Sequence, residues 1–235
     1  MIKGNQTLVS ALQISISAKA ILQKLMQKKI TAIAWDYIRD DKGIFPIVRE
    51  MSEIAGTTSI LIAGELLSCY SSGKGIMLGG ITGVRPTEVV VIGAGTVGEF
   101  AIKGALGLGA SVKVFDNSMS RLRRVQDNSS TRLFTYVIQP KNLAKAIANA
   151  DVVIVALRAP LGITPCVVTE EMVESMSPGS VLIDVSIDQG GCFETSKVTN
   201  HLKPTFEKHG VIHYCVPNIA SGVSCLLYTS PSPRD

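Results

Sequence analysis

The sequence predicts an α/β protein whose main body is a doubly wound parallel sheet, preceded by part of a second domain. Three observations carry that expectation. Short β-branched runs recur along the chain, such as Val89-Val90-Val91-Ile92 and Val112 to Phe115. Stretches of helical period lie between them, and strands that alternate with helices pair in parallel with both faces covered. The length, 235 residues of which 46% are apolar, suffices for one large domain, or for one domain and part of another.

In chain order, Leu8 to Ile16 is mixed. Ala18 to Lys29 predicts a helix with Ile21, Leu22, Leu25 and Met26 inward, and Ile30 to Trp35 a strand. Asp40-Asp41-Lys42-Gly43 is a charged turn that Pro46 closes. From Ser52 a long helix, with Glu53 in its first turn, runs toward Tyr70, and a glycine-rich link (Gly79, Gly80, Gly83, Pro86) follows. After Asp116, strands are expected over Arg132 to Ile138, Asp151 to Leu157, Ser180 to Val185 and Val211 to Val216. Helices fall over Leu143 to Asn149 and Thr169 to Met176. With the two valine-rich runs this makes six parallel strands in series, which right-handed crossovers arrange in doubly wound order.

The connection between the first two of these strands is the most informative. Val89 to Ile92 enters the turn Gly93-Ala94-Gly95-Thr96-Val97-Gly98, an amphipathic stretch runs to Leu108, and the next strand stops at Asp116. Such a unit binds a dinucleotide: Gly93 allows the tight turn, Gly95 lets backbone amides approach a pyrophosphate, and Gly98 lets the helix pack on the sheet. The pyrophosphate rests on a helix N-terminus, where free amides and the helix dipole favour an anion. Glycine triplets also occur in ordinary turns, but here the strand before, the helix after and the acid all agree. Asp116 is placed to accept both hydroxyls of an adenosine ribose, and its charge, repelling a 2′-phosphate, favours NAD over NADP. Arginines after this strand can also pair with a phosphate; for Arg123 and Arg124, unlike Arg121, a solvated helix face is the simpler reading.

Several classes are disfavoured. The net charge of +4 is spread out, and six Phe, five Tyr and one Trp leave little for base stacking, so no nucleic-acid partner is expected. The apolar stretches are short and interrupted, which predicts no membrane span, and the start of the chain lacks the pattern of a signal peptide. Five dispersed cysteines (Cys69, Cys166, Cys192, Cys215, Cys225) suit a reducing cytoplasm, and neither they nor His201, His209 and His213 show metal-site spacing, so no metal is expected. The histidines read as surface or core residues. Residues 222–235 stand apart: from Cys225 to Asp235 there is no period and no apolar face. Back-translated, that segment resembles the end of a transposase-type sequencing adaptor read in frame, so it is expected to be foreign to the fold.

Four segments together resemble the alanine dehydrogenase family: Met77-Leu78-Gly79-Gly80, the strand and turn from Val91 to Gly98, the run Ile183 to Glu194 containing Asp188-Gln189-Gly190-Gly191, and His213 to Ile219. The resemblance extends from about Ile30 to Ser221. It implies a remnant of a substrate domain over residues 1–50 and a Rossmann-type NAD-binding domain over 51–221. It also implies NAD-dependent, reversible oxidative deamination of L-alanine to pyruvate and ammonia by a cytoplasmic homohexamer. Transferred by motif, Asp116 and Arg121 lie at the adenosine ribose, Thr96 and Val97 under the pyrophosphate, and Ser52 near the nicotinamide half. Leu157 and Arg158, Val185, Ser186, Ile187 and Asp188, and Val216, Pro217, Asn218 and Ile219 end successive strands and line the crevice. Lys197 falls at a basic family position, although a lone lysine is commonly solvated. Asp188 is the expected catalytic group, a carboxylate beside the nicotinamide that manages the proton on the substrate amine or carbinolamine. The competing reading is an Asp that caps the turn before Gly190-Gly191, and Asp184, in a strand, is expected to bond backbone.

The chain departs from the family pattern where a histidine is usual. Gln13 or Ile14 stands near that place, and glutamine cannot shuttle a proton. The family's arginine and lysine for the substrate carboxylate have no counterpart here, so NAD binding without appreciable turnover is expected. Two further readings are the nucleotide-binding subunit of a proton-translocating transhydrogenase, which resembles this chain but carries Glu at the position of Asp188, and a non-catalytic NAD-binding module.

Overall fold

A computed structural model describes residues 3–12, 19–41, 43–159 and 163–223; Gln13, Ile14 and the segment from Cys225 onward lie outside them. The chain divides between Met51 and Ser52 into two compact units. In the first, β1 (Thr7–Ser10) pairs in parallel with β2 (Thr31–Ala34), and α1 (Lys19–Gln27) lies between them in the chain. The mixed segment therefore contains a strand, four residues long and too short to show a period. On α1 only Leu25 is buried; Ile21 and Met26, expected inward, are 58% and 77% exposed. The long helix α2 (Pro46–Leu66) starts six residues ahead of the expected Ser52, with Pro46 at its first position, where a missing N–H breaks no helical bond.

The second unit is built on a seven-stranded sheet of β3 (Glu88–Ile92), β4 (Ser111–Phe115), β5 (Phe134–Tyr136), β6 (Val152–Val155), β7 (Val181–Asp184), β8 (Thr205–Lys208) and β9 (Val211–Tyr214). Its order is β5-β4-β3-β6-β7-β9-β8, and every pairing is parallel except β8 with β9. The expected six parallel strands are present, and β8 is an addition that the sequence reading missed. It is an edge strand joined to β9 by a turn at His209 and Gly210, both with positive φ. Such a strand needs only one paired side and carries no long apolar run.

Alternation along each strand splits the core in two. Val89, Val91, Val112, Val114, Ile154 and Ile183 face α2, α3 (Thr96–Gly107) and α4 (Met119–Asp127). Val90, Ile92, Phe115, Val153, Val155 and Leu182 face α5 (Pro140–Ala148) and α6 (Glu170–Glu174). Helices thus change face where the strand order turns back beside β3, as right-handed crossovers require. Close backbone approach locks α2 to α3: a Cβ on Gly56 would stand 2.3 Å from the Val97 carbonyl oxygen.

Candidate functional site

Where the order of a parallel sheet reverses, the connections leaving neighbouring strands diverge and open a crevice at their carboxyl ends. Around that reversal the chain places Gly93 after β3, Asp116 after β4, Leu157 and Arg158 after β6, Val185 to Asp188 after β7, and Val216 to Ile219 after β9.

The three glycines of the first turn do different things. Gly93 has φ +109°, donates its N–H to the Phe115 carbonyl at 2.7 Å, and leaves no room for a Cβ, which would lie 2.5 Å from the Ala156 oxygen. On Gly98 a Cβ would meet the Gly93 oxygen at 1.8 Å. Gly95 is under neither constraint: its φ of −72° and ψ of −169° suit any residue, and nothing lies within 4 Å of where its Cβ would be. The fold requires the first and third glycines, and the second keeps space open. The N–H groups of Gly95, Thr96 and Val97, at the start of α3, meet no acceptor among the described residues. They form the ready anion site of a helix N-terminus.

Asp116 is buried, and both its carboxylate oxygens bond backbone. Oδ2 accepts from Ala94 N at 2.7 Å and Oδ1 from Ser118 N at 2.7 Å, while the exposed Arg121 guanidinium lies 3.7 Å from Oδ2. Each carboxylate oxygen can accept more than one bond, so ribose hydroxyls could share them. Arg124 lies on an exposed helix face, as expected, but its guanidinium also has partners. Its Nη2 donates to the Ala94 carbonyl at 2.9 Å and its Nε lies 3.3 Å from Glu99. Sequence periodicity could place it on the outer side of α4 but could not show what that side touches. Arg123 is exposed.

Across the crevice two acids divide the work. Asp184 ends β7 fully buried; its Oδ1 accepts from Ser186 N at 3.0 Å, and its Oδ2 accepts from Cys192 N at 2.9 Å and Ser196 Oγ at 2.5 Å. These bonds close the Asp-Gln-Gly-Gly loop, where Gly191 has φ +82° and a Cβ on it would stand 2.9 Å from Asp184 Oδ2. Burial raises the Asp184 carboxyl above its ordinary range, against the hydrogen bonds that lower it. Asp188 carries no such duty: its side chain is exposed, and among the described residues its Oδ2 accepts only the Asn218 N–H, at 3.3 Å, from the loop after β9. The turn before Gly190-Gly191 is thus tied down by Asp184. Desolvation by the surrounding protein raises the Asp188 carboxyl too, opposed by that one amide.

The Ser186 hydroxyl donates to the Leu157 carbonyl at 2.6 Å, joining the ends of β6 and β7. Ser186, Ile187, Val216 and Ile219 are buried, Pro217 and Val185 half-buried, and Arg158, Lys197 and Asn218 exposed. Ser52 lies in the second turn of α2 rather than at its start. Of the histidines, His213 is a core residue: Nδ1 donates to the Val211 carbonyl at 2.9 Å, Nε2 meets Thr195 Oγ1 at 2.8 Å, and burial lowers its pKa. His209 joins Glu170, Glu174 and Lys208 in a surface ion cluster. Cys192 and Cys215 are buried, which pushes both thiols up to about 12, as expected of inert core thiols. No helix among the described residues is long and apolar enough to cross a membrane.

The sheet order, the glycine turn and the strand-end crevice define a Rossmann-type nucleotide-binding domain. The family model described as "Alanine dehydrogenase/PNT, C-terminal domain" matches residues 59–229, and the chain belongs to that family, one of nicotinamide-nucleotide oxidoreductases. It is 43% identical to an alanine dehydrogenase of Methanococcus maripaludis over 205 residues, which are 87% of this chain and 55% of that protein. It is equally identical to one of Bacillus subtilis over 204 residues, 86% of this chain and 54% of the relative. The chain therefore spans a little over half the length of these relatives. Among solved structures, an L-alanine dehydrogenase superposes with a TM-score of 0.86 at 34% identity, over 97% of this chain and 65% of that one. A transhydrogenase from Sinorhizobium meliloti superposes at 0.78 and 23% identity over 96% of this chain and 66% of that one, a likeness of fold.

Proposed function

We propose that the crevice binds NAD(H) and that the chain is the nucleotide-binding part of an alanine dehydrogenase, which interconverts L-alanine with pyruvate and ammonia. The observation that carries this reading is the pair of unspent features at the ends of β3 and β7, which flank β6 in the sheet: free amides beside the open space at Gly95, and the exposed carboxylate of Asp188. The amides of Gly95, Thr96 and Val97 would take the pyrophosphate, and Asp116 with Arg121 the adenosine ribose. Val185 to Asp188, Leu157, Arg158 and Val216 to Ile219 would line the nicotinamide half, with Ser52 and Lys197 assigned there by family resemblance alone. A bound nicotinamide supplies a hydride acceptor. Asp188 then has two tasks: to orient the substrate amine and to hold the proton that leaves nitrogen or the carbinolamine oxygen. A raised carboxyl pKa suits the second task, because a base whose pKa lies nearer neutrality returns its proton more readily. The Asn218 N–H, from the loop after β9, bonds this carboxylate.

A fluorescence titration of the chain with NADH, competed by ADP-ribose and repeated with NADPH, tests the reading. NADH is expected to bind, ADP-ribose to displace it, and NADPH to bind more weakly because of Asp116. Failure of NADH to bind would refute it. Alanine-dependent NADH formation is a property expected of the full-length relatives, about half of whose length lies outside this chain.

A further inference from the structure

We propose that Arg124 and Glu99 are positioning residues that aim the Gly95 amide and so set the affinity for a ligand's pyrophosphate, an inference that rests on the nucleotide reading above. Two successive peptide planes of the turn are held from outside it. Asp116 accepts the Ala94 N–H, which fixes the Gly93–Ala94 peptide, and Arg124 donates to the Ala94 carbonyl, which fixes the Ala94–Gly95 peptide. In a trans peptide the carbonyl and the N–H point in opposite directions. Holding the Ala94 oxygen on Arg124 therefore turns the Gly95 N–H away from Arg124 and fixes its direction.

Glu99 anchors the arginine. It sits in the first turn of α3, largely buried, with its Oε2 3.3 Å from Arg124 Nε and its Oε1 accepting from Lys103 Nζ at 3.0 Å and Asn128 Nδ2 at 2.9 Å. Partial burial raises the Glu99 carboxyl, but the bonds from Lys103 and Asn128 and the neighbouring positive charges outweigh it and hold the group ionised. The helix dipole and Lys103 favour an acid in this first turn, and the same carboxylate holds the Arg124 guanidinium.

The test is the affinity of the chain for ADP-ribose, measured by calorimetry for the parent, Arg124→Ala, Arg124→Lys and Glu99→Ala, with the melting temperature of each. Losing a charge-assisted bond that aims one donor should weaken binding about tenfold in Arg124→Ala. Arg124→Lys, which keeps a charged donor but not the fork that bonds Glu99 and the Ala94 carbonyl together, should recover part of the affinity lost in Arg124→Ala. Glu99→Ala should also weaken binding, and the dependence of affinity on salt should match the parent in every variant, because Arg124 touches a carbonyl and not a phosphate. Unchanged affinity in Arg124→Ala would overturn the proposal. So would tighter binding in Glu99→Ala with a shallower salt dependence in Arg124→Ala, the signature of direct phosphate contact. Absence of ADP-ribose binding by the parent would instead overturn the nucleotide reading itself.

Discussion

The loop after β3 and the loop after β7 solve one problem in two ways. Each carries groups that the fold consumes and groups that it leaves over. In the first loop, Gly93 and Gly98 are required by close backbone approaches while Gly95 is not, and one acid, Asp116, holds the Ala94 and Ser118 amides. In the second, buried Asp184 takes three donors, and Asp188 is left with a single long bond to Asn218. The lesson is that a conspicuous residue becomes a candidate for ligand or chemistry when the fold has no use for it. Asp184 and Asp188 share one run of sequence, and burial and partners separate them.

The largest expected effect comes from breaking the structural half of that contrast. Asp184→Ala strands the buried Ser186 and Cys192 amides and the Ser196 hydroxyl, so chemical denaturation should show a loss of about 3 kcal/mol or more. A smaller effect concerns pH. His213 is buried with a lowered pKa, so the unfolded chain binds its proton more readily than the folded one. Its contribution to stability is complete above the ordinary value of 6.5 and is lost as pH falls through its lower folded pKa. A stability profile from pH 7 to pH 5 (~ within the usual histidine range) should decline in the parent and be flatter in His213→Asn. The smallest effect belongs to Asp188→Asn, which gives up one exposed acceptor and relieves an unfavourable charge; its unfolding free energy should stay within about 0.5 kcal/mol of the parent. A loss as large as that of Asp184→Ala would erase the division of labour between the two acids.

The fold was largely legible. Val89 to Ile92 and Val112 to Phe115 are fully apolar or nearly so because both faces of the sheet are covered, and the glycine turn marks the strand-to-helix transition between them. What stayed hidden was short or relational. Thr205 to Lys208 is too brief and too charged to signal a strand, and it exists because the turn at His209 and Gly210 folds it back on β9. The β1 strand and the early start of α2 at Pro46 were obscured in the same way. At the site, the motifs pointed to Asp116 and Asp188, but no periodicity reveals that Arg124 reaches the Ala94 carbonyl, thirty positions away in the chain. Nor does spacing show that Gly95 alone of its triplet is spare.

That spare glycine offers the most direct test of the central claim, that the crevice holds a dinucleotide. Gly95→Val adds a Cβ that meets no atom of the described residues within 4 Å, apart from its chain neighbours, at a position where the backbone tolerates any residue. The variant is expected to unfold at the parent's midpoint yet lose NADH binding by about a hundredfold or more, since the branched side chain fills the space a pyrophosphate would take. Parental affinity for NADH in this folded variant would contradict the account.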